Sequence, residues 1–202
     1  MTSICAAALI LSFAVSDATF TDAKHFLPQT KPALTVLVRD MVDTDPKIRN
    51  IAKAETMRIL DKAGIELRWI DANGSEDPHL PPEIKGHVTV IIAEHSPTGW
   101  TGADAMGFAP ARTGPYLRAY IFTDLIKVFL NKLMIQDKTA FGIILGHAIA
   151  HELGHLVIPG DAHGNGIMRP QWAYQEWQQA QQGTFLFSPN HARMLRKALQ
   201  SR

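Results

Sequence analysis

The chain has 202 residues, 46% of them hydrophobic, which suits one globular domain with a sizeable core. Twenty Lys and Arg against 19 Asp and Glu leave a formal net charge of +1, which gives no electrostatic case for a nucleic-acid partner. Cys5 is the single cysteine, so an intramolecular disulfide is excluded.

Residues 4–15 form an apolar run too short to span a bilayer comfortably. Small residues follow at Ala14, Ser16 and Ala18, as at a signal-peptidase site, although no Lys or Arg precedes the run. The expectation is a cleaved export signal over 1–18 and a single domain over 19–202, secreted or periplasmic, with no stable membrane span after cleavage. Residues 33–41, rich in Val and Leu, read as a buried strand. Asp45-Pro46 opens a helix that runs to Ala63 and stops at Gly64. Residues 65–70 are a second strand, 71–86 a polar loop with Asn73-Gly74 and Pro81-Pro82, and 87–93 a third, central strand.

Residues 96–115 are punctuated by glycine and proline, and within them Met106-Gly107-Phe108-Ala109-Pro110 reads either as a short edge strand or as a surface loop. A strand at 117–123 and a short helix at 124–135 follow. Asp137 and Thr139 are both suitable N-caps for an apolar, proline-free helix over 140–157. Gly142, Gly146, Ala150 and Gly154 place a stripe of small side chains along it, as if for close approach to a sheet, and Pro159-Gly160 ends it. Beyond Pro170, residues 171–182 are Gln-rich with Trp172, Tyr174 and Trp177. Their aromatics either cover a cleft or, as the simpler reading, cap the core. Residues 190–199 form an amphipathic closing helix with a solvated basic side.

The chemistry is concentrated in His151-Glu152-Leu153-Gly154-His155. Residues four apart share one helix face, so both imidazoles can reach a single zinc ion. Glu152 stands next to the first ligand, near enough to act on a water at the metal. A helix that tolerates so many glycines is buried, and two buried imidazoles need partners, which a metal supplies. A catalytic zinc takes a third protein ligand. The candidates are His163, which follows Gly160 in a G-x-x-H relation, Asp161, and Glu176 on the next helix. His147, one turn before His151, is either a support for the site or a packed histidine without a direct role.

These residues resemble the metzincin zinc peptidases, whose pattern is H-E-x-x-H-x-x-G-x-x-H followed by a methionine turn. Gly160 and His163 keep the family's relation two residues late; in the unshifted register the glycine falls on Ile158 and the ligand on Asp161. The resemblance implies an α/β (α+β) zincin-like fold: a mixed twisted sheet, an edge strand above the H-E-x-x-H helix, and a helical C-terminal part. It implies one zinc per chain held by His151, His155 and His163, Glu152 as general base and proton shuttle, Met168 in the methionine turn, and a peptide or protein substrate. The run 106–110 resembles the matrixin edge strand, to which an extended peptide can pair. Tyr174 is a candidate for stabilising the oxyanion, though off the family's tyrosine position. Two rivals stand beside this reading: a non-catalytic zincin-fold binding module, and a zinc-dependent ribosomal-RNA endonuclease, whose three-histidine pattern lacks Glu152 and does not match His163. Substrate identity and oligomeric state are not legible.

Overall fold

Val36, Val38, Val88, Val90 and Ile92 are all close to fully buried and lie on one face of the sheet, the alternation expected of strands with one face packed into the core. In the computed structural model, which describes residues 30–72, 87–96, 105–110, 117–160 and 162–201, they lie on β1 (Ala33–Asp40) and β3 (Val88–Ala93). β2 (Glu66–Asp71) and β5 (Leu117–Phe122) flank them, and the short β4 (Gly107–Phe108) closes one edge. The sheet order is β2-β1-β3-β5-β4. Its first four strands are parallel, while β4 runs antiparallel to β5, with Gly107 opposite Ile121 and Phe108 opposite Tyr120. The third strand is central, as expected, and the segment left open between edge strand and loop is an edge strand.

Helix α1 (Pro46–Lys62) starts where the sequence places it: Asp45 accepts from Lys47 N at 2.8 Å, and Pro46 supplies the first helical φ. Gly64, at φ +78°, turns the chain out of it. α2 (Thr123–Lys132) follows β5 without a loop and leads to α3 (Lys138–Val157), whose N-cap is Asp137, accepting from Ala140 N at 3.1 Å. α4 (Tyr174–Gln181) and α5 (Pro189–Gln200) complete the C-terminal part.

α3 is apolar enough and, at 20 residues, long enough to cross a membrane, but 78% of its apolar window is buried inside the protein. It packs on α1, β5 and α2. The small-residue stripe does not meet a sheet, as its spacing led one to expect. A Cβ at Gly142 would lie 2.7 Å from Ile51 Cβ, and one at Gly146 would lie 2.7 Å from the Ala52 carbonyl oxygen. Gly142 and Gly146 therefore seat α1, whereas Gly154 meets Met168, and the Thr56 hydroxyl joins the two helices with its one proton shared between Ala52 O (2.8 Å) and Gly146 O (3.1 Å). Spacing shows that something comes close, not which element does.

The segment read as an export signal, most of the 71–86 loop, most of 96–115 and Asp161 lie outside the described residues.

Candidate metal centre

His151 and His155 stand one turn apart near the C-terminal end of α3, and the chain must then reverse to bring His163 back. The two-residue shift is absorbed after the helix. Ile158 leaves it with an extended backbone (φ −79°, ψ 124°), and Gly160 turns at φ +79°. Among the described residues nothing beyond the chain neighbours lies within 4 Å of a Cβ built on Gly160, so the left-handed φ is what favours glycine there.

The outcome is a cluster. One ligand nitrogen from each of His151, His155 and His163 lies within 4.8 Å of the others. Ring centroids are 4.7 Å apart for His151 and His155, 4.6 Å for His155 and His163, and 5.8 Å for His151 and His163. His151 Nε2 and His155 Nε2 face each other at 3.0 Å. Two nitrogens on one tetrahedral zinc, with bonds of about 2.05 Å, would stand roughly 3.3 Å apart. Three histidines so placed can hold a metal ion.

Second contacts set the chemistry of the first histidine. His151 Nδ1–H donates to the Ile167 carbonyl at 2.7 Å, which leaves Nε2 as the lone-pair nitrogen turned towards its neighbours. Burial, followed by the charges of His155 and His163, pushes the His151 pKa down to about 4. The ring is thus neutral, and competent as a ligand, at neutral pH.

The Ile167 carbonyl is itself fixed by a tight turn. Gly164 N donates to Met168 O and Arg169 N to Gly166 O, both at 3.0 Å, while Ile167 N donates to Leu186 O at 2.9 Å. Gly166 takes φ +67°, and a Cβ there would sit 2.3 Å from the Leu186 oxygen, so only glycine fits. Met168 is fully buried beneath α3: a Cβ on Gly154 would lie 2.5 Å from its sulfur.

Glu152 is 5% exposed, and burial raises its pKa to about 8. A cation held by the three histidines would favour its ionised form. β4 lies directly over this carboxylate. A Cβ on Gly107 would come within 2.7 Å of Glu152 Oε1 and Cγ. Histidines, Glu152 and β4 line one cleft of about 780 Å³, the size of a small-molecule or peptide pocket.

The remaining candidates separate clearly. Glu176 is not available as a ligand: its Oε1 accepts from Arg169 Nη1 at 2.5 Å and its Oε2 from Ala173 N at 2.8 Å. His147 is a packed residue, donating from Nδ1 to Ile143 O at 2.8 Å and stacked on Phe185. Its fully buried Nε2 has no hydrogen-bond partner among the described residues, and burial lowers its pKa. Tyr174 is exposed and is not among the described residues lining the cleft. Trp177 is buried in the core as the simpler reading held, but Trp172 departs from it. Trp172 lines the cleft, meeting His151 edge-on at 5.8 Å and Phe185 at 5.0 Å.

Two residues of the site were not singled out from the sequence for the parts they play. Gly107 lay inside the presumed edge strand, and glycine within a strand signals a close approach. Ile167 acts through its carbonyl, which no side-chain pattern reports.

The mixed α/β fold, with an antiparallel edge strand beside the helix bearing H-E-x-x-H, has the layout expected from the sequence. No protein-family model matches the chain, and no curated protein matches it in sequence. Among solved structures it is similar to metalloproteinase-II from Bacteroides fragilis, with 12% identity and a TM-score of 0.48, over 83% of this chain. The match covers 53% of that structure's chain, about half its length.

Proposed function

We propose that the chain is a zinc-dependent metalloendopeptidase of metzincin type, with zinc held by His151, His155 and His163 and with Glu152 as general base. The observation that carries this reading is the convergence of three histidine nitrogens within 4.8 Å beside a buried carboxylate that is not a member of the set. When bound, zinc supplies Lewis acidity for a water and for the scissile carbonyl. Glu152 accepts the water's proton and returns it to the departing amine. His151 is kept in its ligand tautomer by the Ile167 carbonyl, as metal-binding histidines commonly are. Backbone pairing of an extended peptide with β4 would align the scissile bond over Glu152. Export by the 1–18 segment belongs to the same reading.

Glu152→Gln separates catalysis from metal holding. The variant should keep its fold and zinc while cleavage of casein or of a mixed peptide library falls by about 10²–10⁴-fold. A variant as active as a cleaving wild type, or a zinc-loaded wild type that cleaves nothing, overturns the reading.

A further inference from the structure

Arg169 directly follows Met168 and lines the cleft together with the three histidines. Its position is fixed from several sides. The backbone N–H donates to Gly166 O, and the carbonyl accepts from Trp172 Nε1, each at 3.0 Å. Nη1 is held at 2.5 Å by Glu176 Oε1, and the Glu176 side chain is only 5% exposed. The other oxygen of Glu176 is engaged by Ala173 N.

One carboxylate therefore anchors one nitrogen of the guanidinium. Nε and Nη2 make no hydrogen bond among the described residues, and the Arg169 side chain is 47% exposed. A guanidinium has five donors in a rigid fork that matches a carboxylate, and here the ordering of the side chain is already complete before any ligand arrives. The other charges lining the cleft agree. Lys132 also faces it and forms no ion pair among the described residues, and among the described lining residues the only acid is the deeply buried Glu152.

We propose that Arg169 is a specificity residue that binds a carboxylate of the substrate, either an acidic side chain or a C-terminal carboxylate. The proposal rests on the reading of the cleft as a peptide site.

The test is calorimetric binding to the full zinc-loaded chain carrying Glu152→Gln, so that ligands stay intact. Three peptides of one apolar sequence are compared: both ends blocked with a central Gln, both ends blocked with a central Glu, and a central Gln with a free C-terminal carboxylate. At least one carboxylate peptide should bind about tenfold more tightly than the neutral one, as befits a charge-assisted pair. Whichever does so identifies the source of the carboxylate. Adding Arg169→Met should remove the ratio while leaving the neutral peptide's Kd within about twofold.

Equal affinities before the Arg169 change, a ratio that survives Arg169→Met, or equal weakening of all peptides overturns the proposal. The second result would assign the preference to the metal or to Lys132, the third to a merely structural ion pair. If Arg169→Met does not fold, Arg169→Lys keeps a cation beside Glu176 but loses the fork, and the ratio should drop to threefold or less; an unchanged ratio overturns the assignment. Absence of binding by every peptide counts against the cleft as a peptide site, whereas binding without discrimination counts against Arg169 alone.

Discussion

Gly107 and Glu152 touch so closely that no other residue fits between them: a Cβ at 107 would stand 2.7 Å from the carboxylate oxygen. Gly107→Ala should therefore push the carboxylate or β4 aside. The histidines are not involved, so zinc content should stay near one per chain while turnover falls about 10–100-fold, the scale of a displacement near 1 Å at a reacting group. Elemental analysis and peptide cleavage measured on one preparation would check this. Undiminished turnover would mean that Glu152 has room to adjust.

Zinc should bind at close to one ion per chain after reconstitution at neutral pH. His163→Ala should weaken binding severely and Asp161→Ala little; the opposite ranking would move the third ligand to Asp161. Chelation should lower the melting temperature of the wild type, because a ligand bound only by the folded state stabilises it.

The metal-free protein should lose stability as the pH rises above neutrality. Glu152 holds its proton in the folded state up to about pH 8 but loses it near 4.5 when unfolded, so stability falls as the pH climbs through that window. His151 acts in the other direction. Its folded pKa near 4 lies below the unfolded value of 6.5, so stability grows as the pH rises from 4 to 6.5. These two oppose each other between about 4.5 and 6.5; above that only Glu152 of the pair acts, and exposed His95, held up by Asp124, adds a loss of the same sign. Between pH 6.5 and 8 the decline should be on the order of 1–2 kcal/mol. Urea titrations of the apo protein would measure it, and Glu152→Gln should flatten the profile there.

Gly146→Ala should destabilise by about 1–3 kcal/mol despite the better helix propensity of alanine. The added methyl would meet the Ala52 carbonyl oxygen at 2.7 Å, and backbone yields less readily than a side chain. Thermal unfolding would show the loss; a stabilised variant would mean that α1 moves freely against α3.

Much of this molecule was legible because its signals are local. Asp45-Pro46 and Asp137 cap the helices they were expected to cap, and the valine-rich runs became buried parallel strands. His151 and His155 were readable from helical periodicity. His163 needed a chain reversal and could be named only beside Asp161 and Glu176, because loop length does not fix where a side chain returns. What stayed hidden depends on tertiary contact: the Arg169 bond that occupies Glu176, the α1 surface seated on the glycine stripe, and the division of labour between Trp172 and Trp177.

The support beneath the histidines has a consequence for the order of folding. Ile167 N is held by Leu186 O, Gly166 bridges Phe187, and Phe185 stacks on His147. The motif on α3 is thus finished by a strip of chain about 30 residues downstream of it. Until residues 185–187 dock, the turn that carries the Ile167 carbonyl lacks its bond to Leu186 O and its bridge to Phe187. A nascent or truncated chain ending before Phe185 would carry the complete H-E-x-x-H motif with the turn beneath it only partly held. Competence to hold metal should therefore emerge late, as the last long-range contacts close.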